Sequence, residues 1–346
     1  MAENDIDQIK KAAGEYSKEA LEGRKMYIDL RLRQDPEVRK IIIRAAERIA
    51  RAIIRGGDTP LRKKQLAGLW RLLSEEAGLI KKDLTEKLDE YILEGIEAGG
   101  WQSRAVTIKL FRQVKTPLVK LEQLERMYVR VNREAVNAIW NRTQKGMKLS
   151  KRIWNTSKNA GTAIQNIIQD AVASGLDAVT TAKMLQQYVK KDALTLAKDY
   201  PQLMLNMKGR IPSDLSYEAL RLARTETAAA FGQGAIRSAQ ASPSAKGIKY
   251  CLSASHRITD ICDELARNNE AGLGPGIYAV DDPPPYPAHP NTMSYLVTVN
   301  ESPDDFVKRL KGWVKNPTSD GDLEKWYNNM SILGNQYPRK LLTTSN

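Results

Sequence analysis

Residues 215–252 read LSYEALRLARTETAAAFGQGAIRSAQASPSAKGIKYCL, and two kinds of pattern meet within them. Through Gln240 the small and apolar residues recur at helical spacing, with Ser213 or Asp214 placed to cap the start. Then the pattern changes. Ile248–Leu252 predicts a short strand, and Tyr295–Val299 predicts a second. Between them lies loop chemistry: Gly272, Gly274, Pro275 and Gly276, then Asp281-Asp282-Pro283-Pro284-Pro285-Tyr286-Pro287. Two late helices are expected at 302–315 and 320–332.

Upstream, the reading is almost all helix. One helix is expected over 3–25 and a stronger one over 36–55, with Pro36 near its start, where proline is tolerated. Gly56-Gly57 stops it, and Thr59-Pro60 opens a helix to about Ala77. Another spans 80–97 and is closed by Gly99-Gly100. Leu118, Leu121, Leu124, Tyr128, Val131, Ala135, Ala138 and Ile139 give a further helix. Ala160–Ala173 reads as helix, broken at Ser174-Gly175, and Asp177 caps a helix to about Lys190. Residues 199–213 contain Pro201, Gly209 and Pro212 and read as a connecting loop. The expected fold class is a mainly α N-terminal region with a smaller α+β C-terminal domain. The boundary is placed near 200, giving a helical region over 1–200 and an α+β domain with C-terminal helices over 201–346. No internal repeat is present.

The chain has 346 residues, a length that suggests about two domains. Apolar residues make up 42% and charged residues 27%, which excludes a wholly disordered or fibrous chain. Aromatics are only 6%, so the interior must be mostly aliphatic. The two cysteines, Cys251 and Cys262, cannot make a disulfide framework, and a reducing compartment is the simpler expectation. The polar start, MAENDIDQIKKAAGEY, predicts no signal peptide, and no run of 18 apolar residues predicts a membrane span.

The net charge is +13. Residues 101–160 hold 14 Lys and Arg against three Glu, which is most of that excess. Arg104, Lys109, Arg112, Lys115 and Lys120 precede or straddle Pro117. Arg126, Arg130 and Arg133 fall on one face of the intervening helix. Arg142, Lys145, Lys148, Lys151, Arg152 and Lys158 sit in a loop-like stretch with Gly146. A charge run is usually a solvated helix face, but one unbalanced sign at i,i+4 is mildly unfavourable. A polyanion, duplex DNA first, is therefore the candidate partner of Lys109, Arg112, Lys115, Lys120, Arg126, Arg130, Arg133, Arg142, Lys145, Lys148, Lys151 and Arg152.

Cys251, His256, Cys262 and His289 are the only cysteines and histidines. Their spacing, C-x4-H-x5-C-x26-H, matches no zinc motif, so no metal and no cofactor are expected. Asp260, Asp263 and Glu264 read as solvated acids of a polar loop. Arg224 and Glu226 are two apart on a helix and cannot share a face, so one is expected to turn inward as a buried partner. No Ser-His-Asp set or phosphate-binding loop is present, and Gly-x-Gly at 232–234 follows a helix rather than a strand. No catalytic residues are assigned.

Three blocks together resemble the Mu F-like phage head morphogenesis proteins, or minor head proteins. They are RLARTETAAAFGQGAIRSAQ, then LSASHRITDICDELA with GLGPGIY, then PPPYPAHPNTMSYL. LSKRIW at 149–154 also looks like part of their helical region. The resemblance covers about residues 145–300 in the family's block order. It implies a few-copy head component near the portal, acting in procapsid assembly and handling packaged DNA. Its implied partners are the portal, other head proteins and double-stranded DNA without sequence preference, with no membrane. It would be made in the bacterial host cytoplasm and located in the virion head. On this resemblance Arg224, Glu226, His256, Asp260, Cys262, His289 and Pro290 are structural motif residues. The family's His-Pro-Asn-Cys-x-Cys is here His289-Pro290-Asn291-Thr292-Met293-Ser294, so thiol chemistry is lost at 292 and 294. The alternative is a phage enzyme directed at nucleic acid or transferring ADP-ribose.

Overall fold

Asn4 opens the first helix of the computed structural model, accepting the Asp7 amide at 2.9 Å. Residues 4–55, 61, 63–114, 118–207 and 209–334 are described. Helix α1 (Asp5–Ala13) passes through one 3-10 turn into α2 (Ser17–Ile54), followed by α3 (Lys63–Val114) and α4 (Leu121–Asn141). A two-stranded hairpin, β1 (Thr143–Gln144) and β2 (Met147–Lys148), leads into α5 (Leu149–Ala173). Then come α6 (Ala178–Lys191), α7 (Ala193–Asp199), α8 (Pro201–Met207) and α9 (Tyr217–Gln240). The C-terminal part holds β3 (Ala245–Cys251), α10 (Ile261–Arg267), β4 (Ile277–Tyr278) and β5 (Tyr295–Asn300), then α11 (Pro303–Lys315) and α12 (Gly321–Gly334). The chain is thus mainly α with a smaller α+β part toward its C-terminus.

The described residues divide into two compact units. One gathers Met1–Leu30, Ile92–Ile139 and Thr225–Asn346; the other gathers Arg31–Tyr91 and Trp140–Arg224. Helices α2, α3, α4 and α9 each run through a boundary between these ranges. A single cut near 200 therefore does not describe the division. The strands share their core with the start of the chain and with the second half of α3.

That core is built on the antiparallel sheet β4-β3-β5. Tyr250 faces Leu296 and Cys251 faces Tyr295 across β3 and β5. Alternation sends Ile248, Tyr250 and Leu296 to one side, with Ala235, Ile236 and Ala239 of α9 and Cys262 and Leu265 of α10. Cys251, Tyr295 and Val297 go to the other, with Ile9 and Ala13 of α1 and Phe231. A second core joins Val106, Leu110 and Phe111 of α3 to Phe306, Leu310 and Trp313 of α11. Gln102 of α3 is buried against the outer edge of β5. Its amide donates to the Thr298 carbonyl at 2.8 Å and accepts from the Thr298 N–H at 3.0 Å.

The long helices run through the expected boundaries, including the helix start expected near Pro36 and the stop expected at Gly99-Gly100. Pro36 lies inside α2. It lacks an N–H, so the Leu32 carbonyl loses its helical donor, but Leu32 is exposed and water can reach that group. Gly99-Gly100 lie inside α3 because α9 packs directly on them. A methyl at Gly99 would overlap the Phe231 carbonyl, and one at Gly234 would overlap the Ile96 carbonyl. One at Gly95 would stand 3.1 Å from the Thr227 carbonyl. Residues 201–207 of the expected loop form α8, and the loop-like stretch after Arg142 forms the hairpin and the first turns of α5. Lys145 and Gly146 take left-handed φ values of 51° and 73°, which a two-residue hairpin turn requires. Gly56-Gly57 and Thr59-Pro60 lie outside the described residues. Asp177 caps α6 as expected, accepting the Thr180 amide at 2.8 Å.

Two alanine substitutions separate contact from helix propensity. Gly99→Ala is expected to destabilise the fold by about 3 kcal/mol, because backbone blocks the new methyl. Gly78→Ala, at a mid-helix site facing open space, is expected to stabilise it by about 0.5–1 kcal/mol. Urea unfolding of both variants checks the pair. A neutral Gly99→Ala would remove the close crossing as the reason α3 continues.

Candidate functional site

The site is built where β3 ends and α10 begins. Asp260 caps α10: its Oδ1 accepts the Cys262 amide at 2.8 Å, while Asp263 Oδ2 accepts the Asp260 amide at 2.9 Å. This capping box fixes both carboxylates. His256 lies on the preceding loop, with Nε2 2.9 Å from Asp263 Oδ2 and 3.8 Å from Asp260 Oδ1. That hydrogen bond, and then the Asp260 amide, hold the Asp263 carboxyl below its ordinary range. Cys262 is fully buried on α10. The Tyr250 hydroxyl donates to its sulfur at 3.1 Å, and the Thr292 hydroxyl lies 3.6 Å from it. Burial, and then the bond to this sulfur, push the Tyr250 phenol well up, so it remains a donor.

The loop carrying His289 is tied to both sides of the site. Tyr286 packs its ring where Gly232 of α9 has no side chain, and a methyl there would collide with it. The Asn291 amide donates to Thr225 Oγ1 at 3.3 Å. His289 then brings Nε2 to 3.3 Å from Asp260 Oδ2, while its Nδ1 lies 2.9 Å from the Pro290 carbonyl. Beside the cluster is a cleft of about 630 Å³, bordered by Lys11, Lys249, Ser253, His256 and Asp263.

The structure therefore brings together His256, Asp260, Cys262, Asp263 and His289. Cys251 is left out, because it faces the opposite side of the sheet. Asp260 and Asp263 are not the solvated acids expected, since a cap and a histidine fix each of them; Glu264 is exposed. Of the Arg224–Glu226 pair, Glu226 is the one fully buried. Arg224 instead forms a two-point ion pair with Asp35, its Nε 2.9 Å from Oδ1. The roles of Tyr250 and Thr225 had no signal in the sequence, because each acts on a residue far along the chain.

The basic segment separates into two sets. Through Ile139 it belongs to one unit and from Trp140 to the other. Several of its charges are already paired: Arg104 with Glu125, Lys109 with Glu19 at 2.8 Å and Arg130 with Glu134 at 2.7 Å. Arg152 is a correction. It is 7% exposed, and its Nη1 donates to Gln144 at 3.1 Å, so it cannot extend to a phosphate. Arg126 and Arg142 are half-buried. Arg112, Lys120 and Arg133 are exposed in the first unit, and Lys145, Lys148, Lys151 and Lys158 in the second. Lys115 lies outside the described residues. No helix among the described residues is long and apolar enough to cross a membrane.

Tyr250→Phe keeps the ring and removes only the donor to Cys262. Its expected cost is about 1 kcal/mol, measured by urea unfolding. Unchanged stability would show that this hydrogen bond does not help to hold α10 against β3.

Comparison of the chain with protein-family models, with curated proteins and with solved structures finds no match.

Proposed function

We propose that the chain is a bacteriophage minor head protein that acts in procapsid assembly near the portal and contacts packaged DNA. The observation that supports this reading is the meeting of the three resembling blocks in one module. The first block supplies α9, whose Thr225 and Gly232 receive Asn291 and Tyr286 of the third. The second supplies Cys262, which lies 3.6 Å from Thr292 of the third. Within the second, Tyr278 donates to the Leu265 carbonyl at 2.9 Å.

The DNA contact rests on the exposed cations. Lys145, Lys148 and Lys151 cluster around the β1–β2 hairpin and the start of α5, and none stands in an ion pair among the described residues. Such a group suits phosphate oxygens and reads no bases. The portal and neighbouring head proteins are the protein partners in this reading, and the virion head is the location.

Two measurements test it. The protein is expected to co-sediment with procapsids from infected cells, and its absence from them would overturn the head assignment. Duplex binding across a salt series is expected to show a log–log slope of about −3 for three or four phosphate contacts. Changing Lys145, Lys148 and Lys151 to Gln is expected to reduce that slope by about 2 to 3. Equal, salt-independent binding by both proteins would remove DNA and leave the charge to a protein partner.

A further inference from the structure

The strongest unexplained geometry is at His289. Its Nδ1 faces the Pro290 carbonyl at 2.9 Å. A carbonyl only accepts, so Nδ1 carries the ring proton. In the neutral ring Nε2 is then a bare acceptor. It is shielded from solvent, makes no hydrogen bond, and faces Asp260 Oδ2 at 3.3 Å. Two acceptors at that distance repel unless a positive charge lies between them. Asp260 cannot easily turn away, because its other oxygen is held by the Cys262 amide.

We propose that Asp260, Cys262 and His289 bind a divalent transition metal of the zinc class. Their ligand atoms all lie within 4.8 Å of one another. Ligands at ordinary zinc distances stand about 3.3–3.8 Å apart around a tetrahedral ion, so small side-chain shifts complete the site. One nitrogen, one sulfur and one carboxylate oxygen suit zinc or cobalt and disfavour magnesium and calcium. A ring nitrogen bonded to a backbone carbonyl is also the usual way a metal-binding histidine is oriented. The Tyr250 hydroxyl donates to the Cys262 sulfur, which supports an electron-rich thiolate. His256 remains bound to Asp263 and braces the capping box from the other side. Asp260 and His289 are each about a third exposed, which leaves the fourth corner to a solvent oxygen. A proton on His289 would satisfy Asp260 alone and would leave the convergence of the sulfur unexplained. The irregular Cys and His spacing argued against zinc, but it could not show that Asp260 takes the place of a further thiol or imidazole.

The test is cobalt(II) and zinc(II) titration of the full chain after chelator treatment. One equivalent of cobalt is expected to bind with a sulfur-to-cobalt charge-transfer absorption, and zinc is expected to displace it. Cys262→Ser is expected to abolish that absorption. His289→Gln, at a partly exposed position, is expected to weaken binding at least tenfold, with unchanged circular dichroism. This second variant serves if Cys262→Ser does not fold. Absence of the sulfur band in the wild type, or unchanged binding in His289→Gln, would overturn the site. So would NMR showing that His289 Nε2 titrates with a proton and ignores added zinc.

Discussion

The contact of α3 with α9 is made by backbone, and the unit holding the candidate site depends on it. Gly95 and Gly99 are one turn apart on α3 and so share a face. Opposite them are the Thr227 and Phe231 carbonyls, while Gly234 of α9 leaves room for the Ile96 carbonyl in return. Neither helix leaves space there for even one methyl. This closeness sets the height of α9 above α3, and with it the position of Thr225, Gly232 and Ile236. Those three reach the His-Pro loop, Tyr286 and the sheet in turn. The Ala- and Gly-rich composition of residues 228–235 is thus a record of close approach, the two glycines being accepted at a cost in helix propensity.

What was legible in the sequence is what is decided locally. Strand alternation at Ile248 and Tyr295, the Asp177 cap and the two late helices depend on neighbours a few residues away. The misread boundaries share one cause. Glycine and proline weaken a helix by about 1 and 3 kcal/mol, and packing from distant segments can outweigh that. Gly99 has α9 against it, and Pro36 has an exposed carbonyl to leave to water. The candidate site was only half legible. His256, Cys262 and His289 stood out as rare residue types, but Asp260 and Asp263 looked like ordinary loop acids. Only the fold shows that the capping box aims both carboxylates at the histidines.

The basic segment teaches a related point about counting charges. A surplus of eleven along sixty residues is not a surface field of the same size. Glu125 and Glu134 are already counted in that surplus, but Glu19, from outside the segment, neutralises a further cation, and Arg152 is used inside the hairpin junction. The exposed remainder near the hairpin comes from three lysines, which are compact point charges on flexible stems. In the proposed reading, that chemistry suits a partner held by charge at variable register.

The Gln102 amide on Thr298 has a consequence for solubility. In the order β4-β3-β5, β5 is an edge, and an unpaired edge offers N–H and C=O groups to any passing strand. Gln102 answers both groups of Thr298 with one side chain, in the way that a neighbouring strand would. The sheet is thereby closed at its centre by a single residue from a helix. That point of the edge therefore offers no strand-shaped invitation to another chain. Self-association into ordered fibrils would first have to remove a buried amide.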